Sequence, residues 1–266
     1  MRLLSRGVLA VSAVLAVLPV LFLVSLSLRS VADVQNGGWL PTRVAWENWP
    51  AAFRTVPLGQ MLANSWIVGL GATALALAIA VPAAYFTARA GRPGAQLRGA
   101  LLGAYCAPPI VAVLPLYFLL KSLGLTNSLL GLVLVTGLAN VPVAVWLLDG
   151  FVARIPREIE EAAWVDGLSV AAGLRRIVVP LLAPGLVAAA LVCFFLSYNE
   201  FLFAVSFSQS TGTQTLTVGL SLFQGDRTVQ FGQQAAASLA AIVPVYVLAV
   251  AAQRWLVGGL SQGAVR

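Results

Sequence analysis

Six stretches of the chain run without a single charge: Gly7–Leu28, Ser65–Phe86, Gly99–Leu120, Ser128–Leu148, Val178–Asn199 and Gly232–Gln253. A helix needs about 20 predominantly apolar residues to cross the hydrocarbon core of a bilayer. Each stretch is continuously apolar rather than alternating, which points to helices and not to barrel strands. The pattern predicts an all-α membrane protein with six transmembrane helices forming one domain over residues 1–266. The first stretch is too long for the apolar core of a signal peptide, and no small-residue cleavage site follows it, so it reads as an uncleaved span.

The segments between the stretches differ in character. Residues 29–64 hold Gly37, Gly38, Pro41, Pro57 and the aromatics Trp39, Trp46, Trp49 and Phe53. They are too polar to span and too aromatic to be disordered. An interfacial helix is expected around Trp46–Arg54, because tryptophan favours the headgroup region. Residues 207–231 are rich in Ser, Thr and Gly and read as an external loop with a short re-entrant or amphipathic piece. The loop 151–177 is the most polar segment. It contains Arg154–Ile177, RIPREIEEAAWVDGLSVAAGLRRI, with three of the chain's nine acidic residues at Glu158, Glu160 and Glu161 and Asp166 close behind.

Local rules predict a helix, a glycine turn and a second helix within that loop. Pro156 suits a first helical turn, and Glu158, Glu160 and Glu161 complement the positive end of the helix dipole. Gly167 stands where left-handed geometry would end the helix. Ser169 is a suitable cap for the next one, and Arg175 and Arg176 fall towards its C-terminal end. Pro180 is expected to open the fifth span. Ala162 and Ala163 leave little side chain on the first helix, which suits insertion into a groove of another protein. An amphipathic helix lying on the membrane is the other reading.

Composition narrows the classes. The chain is 60% hydrophobic and 9% charged, with a mean hydropathy of +0.92. Its net charge of +7 comes from arginines flanking the spans, so no nucleic-acid partner is expected. With the N-terminus inside, eleven of the basic residues fall on the cytoplasmic side: Arg2, Arg6, Arg89, Arg92, Arg98, Arg154, Arg157, Arg175, Arg176, Arg254 and Arg266. Five fall outside: Arg29, Arg43, Arg54, Lys121 and Arg227. The bias predicts cytoplasmic N- and C-termini and places loop 151–177 in the cytoplasm between spans four and five. There is no histidine, and the two cysteines, Cys106 and Cys193, lie in apolar surroundings. No metal site, disulfide framework, nucleophile–base pair or P-loop appears. The chain is therefore not expected to be an enzyme or to hydrolyse ATP itself.

The run EAAWVDG, nine residues, then IVVP (Glu161, Ala162, Ala163, Asp166, Gly167, Ile177, Pro180) resembles the EAA loop of the membrane subunits of bacterial ATP-binding-cassette importers. That pattern is E-A-A, three residues, G, nine residues, I-x-L-P, and Val179 replaces the leucine. LANSWIVG (Leu62 to Gly69) and SYNEFLFA (Ser197 to Ala204) resemble motifs of the carbohydrate-uptake branch, with Tyr198 in place of a tryptophan. The ending GGLSQGAVR resembles that branch's G-L-T-x-G-A-V-K. Together these are similar to the second permease of maltose-type sugar importers.

The resemblance implies an inner-membrane, multi-pass permease that works as a heterodimer with a homologous permease, surrounded by membrane lipid. It implies a cytoplasmic ATPase dimer, which would carry ATP and Mg, and an extracytoplasmic solute-binding protein. No cofactor is expected on this chain. Glu161, Ala162, Ala163, Asp166, Gly167, Leu168 and Ser169 would form the coupling helix and its turn. Glu161 would pair with a basic group of the ATPase, and Asp166 would brace the turn. The tail Ser261–Arg266 either approaches the ATPase or is solvated.

The substrate is less legible. Glu200 is the only charged residue between Ile177 and Asp226, and an ionisable residue at membrane depth is a functional candidate by default. With Tyr198 and Asn199 it is a candidate for the substrate pathway. Its other reading is a packing role near the external interface. Asn140 is expected to contact a neighbouring helix, and Pro108, Pro109, Pro115, Pro142 and Pro244 are candidate kinks. Spans nearly free of basic residues favour a neutral sugar. A glycerol-phosphate derivative or a polyamine is the alternative solute. The richness in alanine, glycine and arginine suggests a GC-rich bacterial source.

Overall fold

The computed structural model describes the backbone of residues 2–223 and 230–261 and the side chains of residues 11–223 and 230–251. Every regular element among them is helical. In hydrocarbon this is the expected answer, because a helix satisfies its own amides and carbonyls. The order begins with α1 (Arg2–Ser27), α2 (Val31–Gln35), α3 (Asn48–Thr55), α4 (Leu58–Arg89) and α5 (Arg92–Tyr105). Then come α6 (Ile110–Ser122), α7 (Leu129–Val152), α8 (Arg157–Val165) and α9 (Val170–Gly173). A π-helical turn (Leu174–Val178) leads into α10 (Val179–Leu181), α11 (Ala183–Tyr198), α12 (Leu202–Phe207), α13 (Leu216–Ser221) and α14 (Phe231–Ser261).

Among the described residues, three helices are long and apolar enough to cross a membrane: Leu58–Arg89, Leu129–Val152 and Phe231–Ala251. Two bent pairs bring the number to as many as five: Arg92–Tyr105 with Ile110–Ser122, and Val170–Leu181 with Ala183–Tyr198. The described apolar part of the first helix, Val11–Ser27, is shorter.

Three expectations need correction. The stretch Gly99–Leu120 is not one continuous helix, since α5 and α6 meet at 97°. Pro108 and Pro109 carry no amide hydrogen, and a residue before proline avoids the helical region, so the ladder cannot continue past Cys106. The fifth span does not open at Pro180. That residue lies in α10, a bend of 80° follows, and α11 starts afresh with Pro184 in its first turn. Arg175 and Arg176 sit in the π-helical turn rather than at a helix end. A helix, α3, stands where one was expected around Trp46–Arg54, and the polar segment after residue 207 contains the short α13.

The described chain forms two compact units. One comprises the chain up to Leu62 together with Val218–Tyr246. There the Asn48 amide of α3 donates to Ser27 O at 3.0 Å and Arg29 O at 2.9 Å, holding the end of α1. Thr55 Oγ1 donates to Gln233 Oε1 of α14 at 2.7 Å. Ser30 and Asp33 form a reciprocal capping box at α2, and Arg29 Nη2 donates to Asp33 O at 2.8 Å. Thr42 Oγ1 also donates to the Asp33 carboxylate. These hydroxyl donors, Thr42 first and Ser30 second, hold the Asp33 carboxyl down at about 2.

The other unit comprises Ala63–Thr217 and the chain from Val247 onward. Its core joins α4, α7 and α11. Ala76, Ala80 and Ala84, four residues apart on α4, share a buried cluster with Val141, Ala144, Val145, Leu148 and Val152 of α7 and with Ala189 and Cys193 of α11. Small residues let membrane helices approach closely, where packing replaces the hydrophobic drive that lipid cannot supply. At Gly137 an added Cβ would stand 2.9 Å from Leu75 Cδ2 and 3.1 Å from Ala72 O. The Asn140 amide of α7 donates to Ser197 Oγ at 2.8 Å and Cys193 O at 3.3 Å on α11, a contact between helices as the sequence predicted.

Gly137→Val is expected to overpack the α4–α7 contact and lower stability by about 1–3 kcal/mol, read as an earlier unfolding midpoint in a denaturing-detergent titration. Asp33 has a folded value below the ordinary one of 3.8. Its contribution to order in residues 29–42 is therefore complete above that ordinary value and fades as the pH falls through about 2. Thr42→Val should move the Asp33 titration upward, measured by the carboxyl chemical shift.

Candidate functional site

The polar loop folds as its sequence dictates. Pro156 stands at the N-cap of α8, with Glu158 and Glu160 in the first turn. Gly167 has φ +86°, left-handed geometry that costs other residues about 1–2 kcal/mol. The turn is closed by Leu168 N donating to Ala163 O and Gly167 N to Trp164 O, both at 3.0 Å. This pair of bonds is the Schellman arrangement of a glycine-terminated helix. Ser169 Oγ then accepts from Ala172 N at 3.3 Å and caps α9.

The loop brings Glu161, Ala162, Asp166, Gly167 and Ser169 to the exposed surface, with Leu168 half-buried. Trp164, 44% exposed, and Val165, 88% exposed, lie among them. Ala163 does not join this face. It is buried, three residues along the helix from Glu160. The two alanines singled out as one small-residue patch are therefore divided between the two sides of α8.

Glu160 is the residue that pattern reading missed. It is 4% exposed. Its Oε1 accepts from Arg89 Nη2 at 2.6 Å and Nε at 3.0 Å, and its Oε2 accepts from Tyr85 Oη at 2.7 Å. Arg89 Nη2 also donates to Ile155 O at 2.7 Å, just ahead of α8. A second polar knot lies beside the first. Asp149 at the end of α7 accepts from Thr87 Oγ1 of α4 and from Arg98 Nη1 of α5, both at 2.8 Å. The α4–α5 turn is tight because Gly94, where an added Cβ would lie 2.6 Å from Thr87 O, lets the two backbones meet. Spacing is the one trace of this in the sequence, and it does not select Glu160 over its neighbours: Tyr85 and Arg89 are four apart on one helix face, and Glu160 and Ala163 are three apart on another.

The pathway candidates sit at the far end of α11. Tyr198 is 6% exposed, against Phe194 and Trp66, with ring centroids at 5.6 Å and 6.5 Å. Asn199 is exposed, and its Nδ2 donates to Phe195 O at 2.8 Å. Glu200 is half-buried, and its two carboxylate oxygens accept from Phe203 N at 2.9 Å and Ala204 N at 3.0 Å, capping α12. Glu200 O accepts from Thr217 Oγ1 at 2.7 Å.

The motif at the start of the second stretch anchors the same region. Asn64 Nδ2 donates to Gly212 O and Gln214 O, and Ser65 Oγ accepts from Leu216 N. Asn127 Oδ1 accepts from Gln209 N, Ser210 N and Thr213 Oγ1, fixing the loop after α12. No group of three or more His, Cys, Asp and Glu suited to a metal occurs among the described residues. The tail beyond Ser261 lies outside them.

Residues 76–261 match the family model described as the binding-protein-dependent transport system inner membrane component. The chain is 35% identical over 254 residues to the trehalose transport system permease protein of Mycobacterium tuberculosis, covering 94% of this chain and 93% of that one. It is 32% identical over 255 residues to a diacetylchitobiose uptake system permease protein of Streptomyces coelicolor, covering 94% and 92%. A solved bacterial ABC transporter involved in the import of the acidic polysaccharide alginate has the same fold. Its TM-score is 0.78 with 20% identity, over 95% of both chains.

Gly167→Ala is expected to loosen the loop by about 1–2 kcal/mol because alanine resists the left-handed conformation. The check is faster hydrogen exchange of residues 157–176 with no change at Asn140.

Proposed function

The chain belongs to the inner membrane component family of binding-protein-dependent transport systems, and from that premise we propose that it carries a sugar or sugar-like solute inward as one of two homologous permease subunits. It is a multi-pass inner-membrane protein, and its relatives are permease subunits rather than enzymes. The carbohydrate reading is supported by the printed substrates of those relatives, trehalose and diacetylchitobiose among them. In the proposed arrangement six spans act as a single permease domain with both termini in the cytoplasm. The family implies an ATPase and a solute-binding protein as partners. ATP and Mg belong to the ATPase, and this chain supplies no cofactor site.

The observation that carries the proposal is the two-sided α8. One face holds to the bundle through Glu160, while Glu161, Ala162, Trp164, Val165 and Asp166 face outward. An exposed short helix of this kind suits a groove on another protein. In the proposed mechanism Glu161, Ala162, Ala163, Asp166, Gly167, Leu168 and Ser169 make up the coupling element. ATP closes the ATPase dimer, α8 is displaced as a rigid body, and the spans switch between two discrete packings. Gly167 fixes the angle between α8 and α9, Glu161 pairs with a basic group of the ATPase, and the small Ala162 admits the groove wall. Tyr198, Asn199 and Glu200 are the proposed pathway residues, Asn199 by direct contact and Glu200 through the wall that it caps.

Gly167→Asp, and a bulky charged residue at Ala162, should abolish solute-stimulated ATP hydrolysis by the co-purified complex while membrane insertion continues. Normal stimulation in Gly167→Asp would remove the docking role. Glu200→Gln should weaken solute uptake. Unchanged affinity and uptake would take Glu200 out of the pathway.

A further inference from the structure

The exposed face of α8 explains how a partner reaches this subunit, but not how the push leaves the helix. A surface helix ordinarily grips its bundle with an apolar stripe. Helix α8 has none: its only buried residues are Glu160 and Ala163. Ile159, Trp164 and Val165 are all exposed. Its hold on the bundle is therefore polar and directional. Apart from the chain entering at Ile155 and leaving at Gly167, it rests on the carboxylate of Glu160 and the small buried methyl of Ala163.

That carboxylate is held from two sides. Arg89 makes two bonds to one oxygen, and Tyr85 donates to the other. The Arg89–Glu160 pair is shielded, with side-chain exposures of 15% and 4%. Charge-assisted bonds to an arginine fork are stiff as well as strong, because the planar donors fix orientation. The same guanidinium holds Ile155 O, so one side chain grips both the entry to α8 and its middle. Two residues before Arg89, Thr87 bonds Asp149 of α7, which bonds Arg98 of α5. The ends of α4 and α7, the middle of α5 and the helix α8 are thus cross-linked by side chains distant in sequence.

We infer that Glu160, Arg89 and Tyr85 form a coupling clamp, which delivers a displacement of α8 directly to α4 instead of only along the chain through α7 and α11. These are positioning residues: they touch neither solute nor nucleotide. The clamp rests on the importer reading above. It adds that α4 is driven through a side-chain contact, and that docking and coupling are separable on opposite faces of one helix.

The test uses the assembled complex in liposomes. ATP hydrolysis is measured with and without the binding protein, loaded from a mixture of trehalose, maltose and diacetylchitobiose. Assembly is followed by co-purification of the ATPase. Glu160→Gln and Tyr85→Phe should leave the ATPase bound and basal hydrolysis in place. The stimulated-to-basal ratio should fall by roughly tenfold for the first and less for the second, within the range of ordinary site–site coupling. Glu160→Arg and Arg89→Glu alone place like charges together and should be uncoupled. The double swap should recover part of the ratio. Wild-type stimulation in Glu160→Gln, or a double swap no better than either single change, overturns the clamp. Activity lost only in proportion to ATPase lost from the complex also overturns it, because Glu160 would then serve docking. If no ATPase accompanies the wild type, the importer reading fails first and the clamp goes with it.

Discussion

A charge or polar group drawn into the body of a membrane protein must meet its partner there, because lipid offers none. The rest of this structure depends on how that demand is met. Glu160 meets Arg89 and Tyr85, Asp149 meets Thr87 and Arg98, and Asn140 meets Ser197 and Cys193 O. Each set joins helices that are far apart in sequence. The apolar surface between them is nonspecific, since lipid tails wet a leucine as well as another leucine does. The polar contacts decide which helix lies against which, and small residues such as Ala76, Ala80 and Gly137 decide how closely.

The same demand explains the interruptions. Where prolines withdraw amide donors, as at Pro108 and Pro109, the helix cannot continue and the chain turns by 97°. Where a helix restarts, its free amides are taken up by side chains: Glu200 serves α12, Ser169 serves α9 and Ser128 serves α7. The segment after α12 is fixed by Asn127 and Asn64, whose amides stand in for the missing ladder. The irregular regions near the candidate pathway are thus ordered by specific hydrogen bonds.

The proposed function draws on the asymmetry of α8. The side chains of Glu161, Ala162 and Val165 are exposed, whereas Glu160, one position away, is consumed by the fold. In the proposed arrangement a helix divided in this way offers one side to a partner and keeps one for its own bundle. The neighbouring Schellman turn at Gly167 sets the course of the chain into α9.

Much was legible from sequence. Long uncharged runs made the helical membrane class unavoidable, because only a helix or a closed barrel satisfies a spanning backbone and nothing alternated as a barrel does. Local rules also predicted the helix–turn–helix of the polar loop, since Pro156, Gly167 and Ser169 act through backbone geometry within a few residues. The division between Ala162 and Ala163, and the inward pull on Glu160, were not legible. Three glutamates in four positions are equivalent to any local rule, and only the approach of α4, some 70 residues earlier in the chain, selected one of them. The bend at Cys106–Pro109 had its cause in the sequence, but its size did not follow from two prolines. Sequence by itself determined the class, the rough positions of the long apolar helices and the loop's local form. The tertiary structure decided which polar groups meet, because pairing across helices depends on distances that no local pattern contains.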